Sequence, residues 1–221
     1  MGARTAMPTD SEILTLAQWF SPGFPIGSFA YSHGLEWAIE CGDVSDATSA
    51  RAWILTALEH GSGRNDCIFL SAAFNAEKPE NILEIDATCR AFAASRERMK
   101  ESDLQGAAFC KVVSAIWKSE IEGLCYPIAV GRGARLQGLP LELTAQMYLH
   151  SMLSNLVAVA MRIVPLGQTE GQSIIHDLTP KMALIAKSAC TASLDDVASS
   201  AFLSDIAAMK HETQYSRIFR T

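Results

Sequence analysis

Apolar positions recur at three- and four-residue spacing along almost the whole chain, and that period predicts amphipathic helices. Thr9 or Asp10 caps a first helix with Ile13, Leu16, Ala17 and Phe20 on one face. A second is predicted from Phe29 to Cys41, capped by Ser28 and stopped by Gly42. Ser45 or Asp46 caps a third, with Trp53, Ile54, Ala57 and Leu58 inside. GSGRND at 61–66 reads as a turn, and 66–76 as a short buried helix. Pro79 opens a helical stretch over 80–120 that divides near RERMKESD, 96–103. Gly123 to Pro127 makes the next break, and Pro140 starts the longest apolar run, 141–166. That run carries Glu142, Gln146, His150, Asn155 and Arg162, so it reads as a central buried helix rather than a membrane span. GQTEGQ at 167–172 reads as a polar connection before a helix over 170–188, with a potential break at Pro180. A last helix, capped near Ser193, puts Leu194, Val197, Ala198, Ala201, Phe202 and Met209 on one face. No stretch alternates apolar and polar residues over a strand's length. The prediction is an all-α, single-domain bundle of about eight to ten helices. Residues 1–9 form a flexible lead-in, 10–210 the domain and 211–221 a C-terminal tail.

One stretch interrupts this rhythm. WFSPGFPIGSFAYSHGLE, residues 19–36, gathers Pro22, Pro25, Gly23, Gly27, Gly34 and His33 among aromatic rings. Pro22 and Pro25 fix φ and remove donors, so no helix runs through them. Phe20, Phe24, Phe29 and Tyr31 are expected to pin the turn against a core. His33 then faces either inward or toward a partner.

Composition narrows the function classes. The 221 residues carry a net charge of −6, with 49% apolar residues and scattered lysines and arginines. No basic patch points to nucleic acid. The six cysteines form no C-x-x-C pair and no zinc-like spacing with histidine, and read as buried free thiols of a cytoplasmic protein. The N-terminus lacks a signal-peptide apolar core, and Met1-Gly2 with Thr5 misses the myristoylation spacing.

Candidate chemistry is sparse. There is no G-x-x-x-x-G-K-[ST], and the G-x-G of 128–138 follows no strand, so its glycines are read as sites of close helix packing. The five histidines show neither H-x-x-x-H nor H-E-x-x-H spacing. His150 reads as structural on its buried helix. Asn155 and Arg162, two helical turns apart, share a face. Arg162 either pairs with an acid such as Glu36 or Asp177, or helps line a groove. The mixed charges of 96–103 read as a solvated face. In the tail, Tyr215, Arg217, Phe219 and Arg220 are residue types enriched in binding hot spots. No catalytic residue or metal ligand set emerges, which favours a binding protein over an enzyme.

The turn's S-P-x-F-P-I-G-x-F-x-Y-S-H-G-L-E resembles the N-terminal signature of the urease accessory protein F (UreF) family. Four more blocks follow in the family's order: RERMKESDLQG at 96–106, YP at 126–127, SNLVAVAMRIVPLGQTEGQ at 154–172 and HETQYSRIFR at 211–220. Departures are mild: Ile218 where leucine is usual and Thr221 where serine is usual. The resemblance implies an all-helical, cytoplasmic homodimer that is not itself an enzyme. It implies a scaffold that binds UreD (also called UreH), recruits the GTPase UreG and supports GTP-dependent nickel insertion into apo-urease. No tightly bound cofactor is implied; nickel passes through the complex in transit. On this reading Tyr215, Arg217, Phe219 and Arg220 grip UreD. Pro25, Gly27, Tyr31, Ser32, His33 and Glu36 form a surface for UreG or a wall near a channel. Two alternatives stand beside it. One is a direct nickel metallochaperone using His33, His150, His211 or cysteines. The other is a GTPase-activating protein that supplies an arginine finger to UreG from 96–103 or Arg132.

Overall fold

The computed structural model describes residues 7–221 and contains ten α-helices and two short 3₁₀ turns among them. The helices are α1 Asp10–Trp19, α2 Leu35–Glu40, α3 Ala47–His60, α4 Ser62–Asn75, α5 Pro79–Ala91, α6 Arg96–Trp117, α7 Tyr126–Leu136, α8 Leu141–Ile163, α9 Gln168–Ala189 and α10 Phe202–His211. Residues 1–6 of the expected flexible lead-in, with the myristoylation near-match, lie outside the described residues. Thr9, at its end, is the N-cap of α1 and completes a capping box with Glu12. Asp46 caps α3 in the same way through Ser49. Pro79 occupies the first turn of α5.

The architecture is the expected all-α bundle, with α4 and α7 at its centre. They meet backbone to backbone. A Cβ on Gly131 would stand 2.2 Å from the Leu70 carbonyl oxygen, so only glycine fits this crossing. The G-x-G stretch thus serves close packing, as its sequence implied. Around that seam lies an aromatic cluster. Trp19 meets Phe109 edge-on at 5.0 Å and Trp117 at 5.6 Å, while Tyr126 lies 5.3 Å from Tyr148. A second, smaller core joins Leu35 of α2, Val44 of the loop before α3, Ala50 of α3, Val159 of α8 and Val164 just beyond it to Phe219 from the tail.

Several expectations need correction. On α1 the inward residues are Leu16 and Trp19, while Ile13 and Ala17 face solvent. The predicted Phe29–Cys41 helix is a 3₁₀ turn at Ser28–Ala30, a break, and then α2, because His33 and Gly34 both adopt positive φ. Phe29 is exposed and pins nothing, whereas Phe24 and Tyr31 are buried. The 61–66 turn shrinks to Gly61, and α4 starts at once. GQTEGQ is the first turn of α9, which continues through Pro180. The last helix is a 3₁₀ turn at Leu194–Asp196 followed by α10, whose Phe202 and Met209 face outward. His150 also faces outward, at the exposed side of an otherwise buried α8.

Candidate partner-docking site: the turn and the tail

Phe24 packs on Phe109 at 5.7 Å and Phe20 on Tyr148 at 6.2 Å, so the turn is fixed to the main core at its start. Gly27, His33 and Gly34 have φ of 73°, 55° and 79°. Such angles are common for glycine and strained for histidine. Gly34 is needed twice over, since a Cβ there would also stand 2.5 Å from the Ala208 nitrogen of α10. The turn therefore seats α10 on one side and exposes main-chain groups on the other.

The tail fills that second side. Arg220 N–H donates to the Ala30 carbonyl at 2.8 Å, and Ser32 N–H to the Thr221 carbonyl at 2.6 Å. The Ser32 hydroxyl donates to the same carbonyl. Phe219 enters the second core with only 5% of its surface exposed, and Arg162 lies over its ring at 5.6 Å. Burial of that ring contributes about 2 kcal/mol to docking the tail. Arg162 is itself exposed and stacks on this ring, so the expected ion pair with Glu36 or Asp177 is replaced by a cation–π contact. Asp177 faces Arg51 instead, and Asn155 donates to the Tyr31 carbonyl at 3.0 Å.

Three carboxylates bind this seam together. Glu36, 5% exposed, accepts from the main-chain N–H of Ile218 at 2.6 Å and of Phe219 at 2.9 Å. Glu97 accepts from Arg217 at 2.7 Å. Between Glu36 and Glu97 lies the fully buried ring of His211, at 3.1 and 2.8 Å. Glu101, 1% exposed, meets His33 at 3.1 Å and Arg98 at 2.7 Å, and accepts from Gln105 at 2.9 Å and the Thr221 hydroxyl at 3.2 Å. Arg98 reaches onward to Asp66, which accepts from the Tyr148 hydroxyl at 2.8 Å. His33, Asp66, Arg98, Glu101, Gln105 and Tyr148 line a cavity of about 30 Å³.

Burial opposes charge on Glu101, but Arg98 and His33 outweigh it and bring its carboxyl down to about 2. At Asp66 burial wins and the carboxyl is raised, despite Arg98 and the Tyr148 hydrogen bond. Burial and the Glu101 charge raise the Tyr31 hydroxyl against the opposing effect of Arg220. The seam is thus held by charge-assisted hydrogen bonds in a largely buried setting.

Of the residues singled out from sequence, the fold brings Tyr31, Ser32, His33 and Glu36 together with Arg217, Phe219 and Arg220. Pro25 and Tyr215 stand in solvent, and Gly27 shapes the turn without touching the tail. Glu97, Arg98, Glu101 and Thr221 were not foreseen as residues of this seam; Arg98 entered only through the arginine-finger alternative at 96–103. The first three belong to the 96–103 run read as a solvated face; in fact α6 turns Arg98 and Glu101 inward. The signal available was the ionic run at the head of a helix with apolar residues beyond it.

Fold and site together define an all-helical protein whose closing segment is clasped by its own buried carboxylates. The UreF family profile matches residues 44–179. Urease accessory protein UreF of Ruegeria pomeroyi is 58% identical over 216 residues, covering 98% of this chain and 100% of the relative. That of Roseobacter denitrificans is 52% identical over 219 residues, 99% and 98% respectively, and that of Bradyrhizobium sp. BTAi1 is 41% identical over 217 residues, 93% and 90%. The chain belongs to the UreF family of urease accessory proteins. The profile match leaves out the turn and the tail, but the near-full-length relatives span both.

Proposed function

We propose that this protein is a cytoplasmic, homodimeric scaffold of urease maturation that bridges UreD and the GTPase UreG and supports GTP-dependent nickel insertion into apo-urease. One observation carries the docking part of this reading. Phe202, Leu203, Ile206 and Met209 form an exposed apolar stripe on α10, which leads directly into the tail with its exposed Tyr215 and Ile218. Such a stripe beside hot-spot residue types is the kind of surface a protein partner covers. We assign it to UreD. Phe219 then serves by seating the tail in the protein's own core, while Tyr215, Ile218 and the Arg220 side chain face the partner.

The alternatives fare differently on geometry. Among the described residues no three His, Cys, Asp or Glu side chains converge as metal ligands, so nothing here adds weight to direct metallochaperone action. For an arginine finger, Arg98 is tied up in buried pairs and Arg132 is part-buried at the Ala76 carbonyl. Arg96, with its side chain 88% exposed, is the more accessible guanidinium, although it pairs with Glu212. Among the described residues no helix is long and apolar enough to cross a membrane.

Size-exclusion co-elution of the full chain with UreD, and then with UreG added, tests the scaffold. A ternary peak is expected. An intact, folded chain that elutes apart from UreD would overturn the reading. UreG turnover with and without the chain, repeated with Arg96→Ala, separates a scaffold from an arginine-finger activator.

A further inference from the structure

His211 has a setting that the docking role does not by itself require. The ring ends α10, is fully buried and has a carboxylate at each nitrogen: Glu36 Oε2 at 3.1 Å from Nε2 and Glu97 Oε2 at 2.8 Å from Nδ1. A neutral imidazole has one N–H and one lone pair. In either tautomer one nitrogen would aim its lone pair at a carboxylate oxygen. Only the imidazolium donates to both.

Neither carboxylate is idle. Glu36, from α2, also holds the Ile218 and Phe219 amides, and Glu97, from α6, also holds Arg217 of the tail. The charged groups bonded around the ring are therefore Glu36, Glu97 and Arg217. Two carboxylates are balanced by two cations only when the ring is charged. The neighbouring acids are engaged elsewhere: Glu40 by Gln214, and Glu212 by Arg96. Burial makes an imbalance here costly.

We propose that His211 is a buried imidazolium that acts as a proton-dependent latch, positioning Glu36 and Glu97 so that they hold residues 217–219. Loss of the ring proton turns one donor into a lone pair facing a carboxylate, pushes that carboxylate away and loosens the tail. Proton uptake at one ring nitrogen reverses the change. A further consequence rests on the scaffold reading: partner capture through α10 and the tail is linked to the same proton.

The test is NMR on the full-length, isotope-labelled chain. Long-range ¹⁵N–¹H correlations report the His211 ring, and the Ile218 and Phe219 amides report the tail. The expected result is two protonated ring nitrogens while both amides are hydrogen-bonded, with all three signals moving together as base is added. A single neutral tautomer beside a docked tail, or a neutral ring facing a carboxylic acid, would overturn the latch. So would tail amides that ignore the ring's titration. His211→Gln, which offers one donor and one acceptor, is expected to speed exchange of the two tail amides at least 10-fold at every pH, with α4 amides unchanged. UreD co-elution across the same range is read separately. Binding that follows the ring supports the coupling, and binding that stays constant beside a titrating latch overturns the coupling alone.

Discussion

The α4–α7 seam and the turn–tail seam are both buried, yet they are built from opposite materials. The first is glycine, aliphatic side chains and aromatic edges, with Gly131 against the Leu70 backbone. The second is carboxylates, histidines, arginines and main-chain amides around one ring, Phe219. A dry apolar seam depends on shape, so it resists pH and salt and fails when volume changes. A polar seam depends on complete pairing. Each missing partner leaves a buried charge or donor, and the segment it holds contributes little apolar area to the bundle. The first seam therefore sets whether the protein folds. The second sets whether the tail is presented in a fixed shape.

Gly131→Ala strikes the dry seam and carries the largest expected effect. The new methyl group would overlap the Leu70 carbonyl, and a loss of about 3 kcal/mol or more is expected in denaturant melts. Glu101→Gln strikes the polar seam at its most buried point. It strips Arg98 of one of its two carboxylates and should lower stability by about 3 kcal/mol at neutral pH. The sign with pH follows from the lowered carboxyl. Its contribution is complete above the ordinary value of 4.5 and is lost as pH falls toward about 2. The wild type should therefore lose stability through that window, and Glu101→Gln should flatten the slope; the raised Asp66 carboxyl acts in the opposite sense, above its ordinary value of 3.8. Phe219→Ala removes the one large apolar anchor of the tail. About 2 kcal/mol is expected, the burial contribution of the ring, seen as faster exchange at Ile218 and Phe219 while α4 stays protected. Ile206→Asp touches neither seam and should change stability by no more than about 0.5 kcal/mol.

The same contrast explains what the sequence disclosed. Local rules carried most of the fold: caps at Thr9 and Asp46, Pro79 at a helix start, and three- and four-residue apolar spacing nearly throughout. They failed where a few residues adopt conformations that their neighbours hide. His33 at φ 55° looks like ordinary helical sequence until Gly34 is seen pressed against α10. The turn and the tail were legible as separate unusual stretches. Their union was not, because Ser32 and Thr221 meet across 189 residues. Glu97 and Glu101 were hidden for another reason. Charges at helical spacing in 96–103 define faces but not which face is covered, and here the tail and the turn do the covering.

We propose that α10 and the seated tail form one docking surface for UreD. The most direct measurement is the affinity of full-length chain for UreD, comparing wild type, Ile206→Asp and Leu184→Asp. Leu184 is also apolar and, at 64% against 49% for Ile206, the more exposed of the two, but lies on α9. All three proteins should melt alike. Ile206→Asp is expected to bind at least about 30-fold more weakly, as for a hot-spot loss, while Leu184→Asp binds like wild type. Unchanged affinity in a folded Ile206→Asp protein would contradict it.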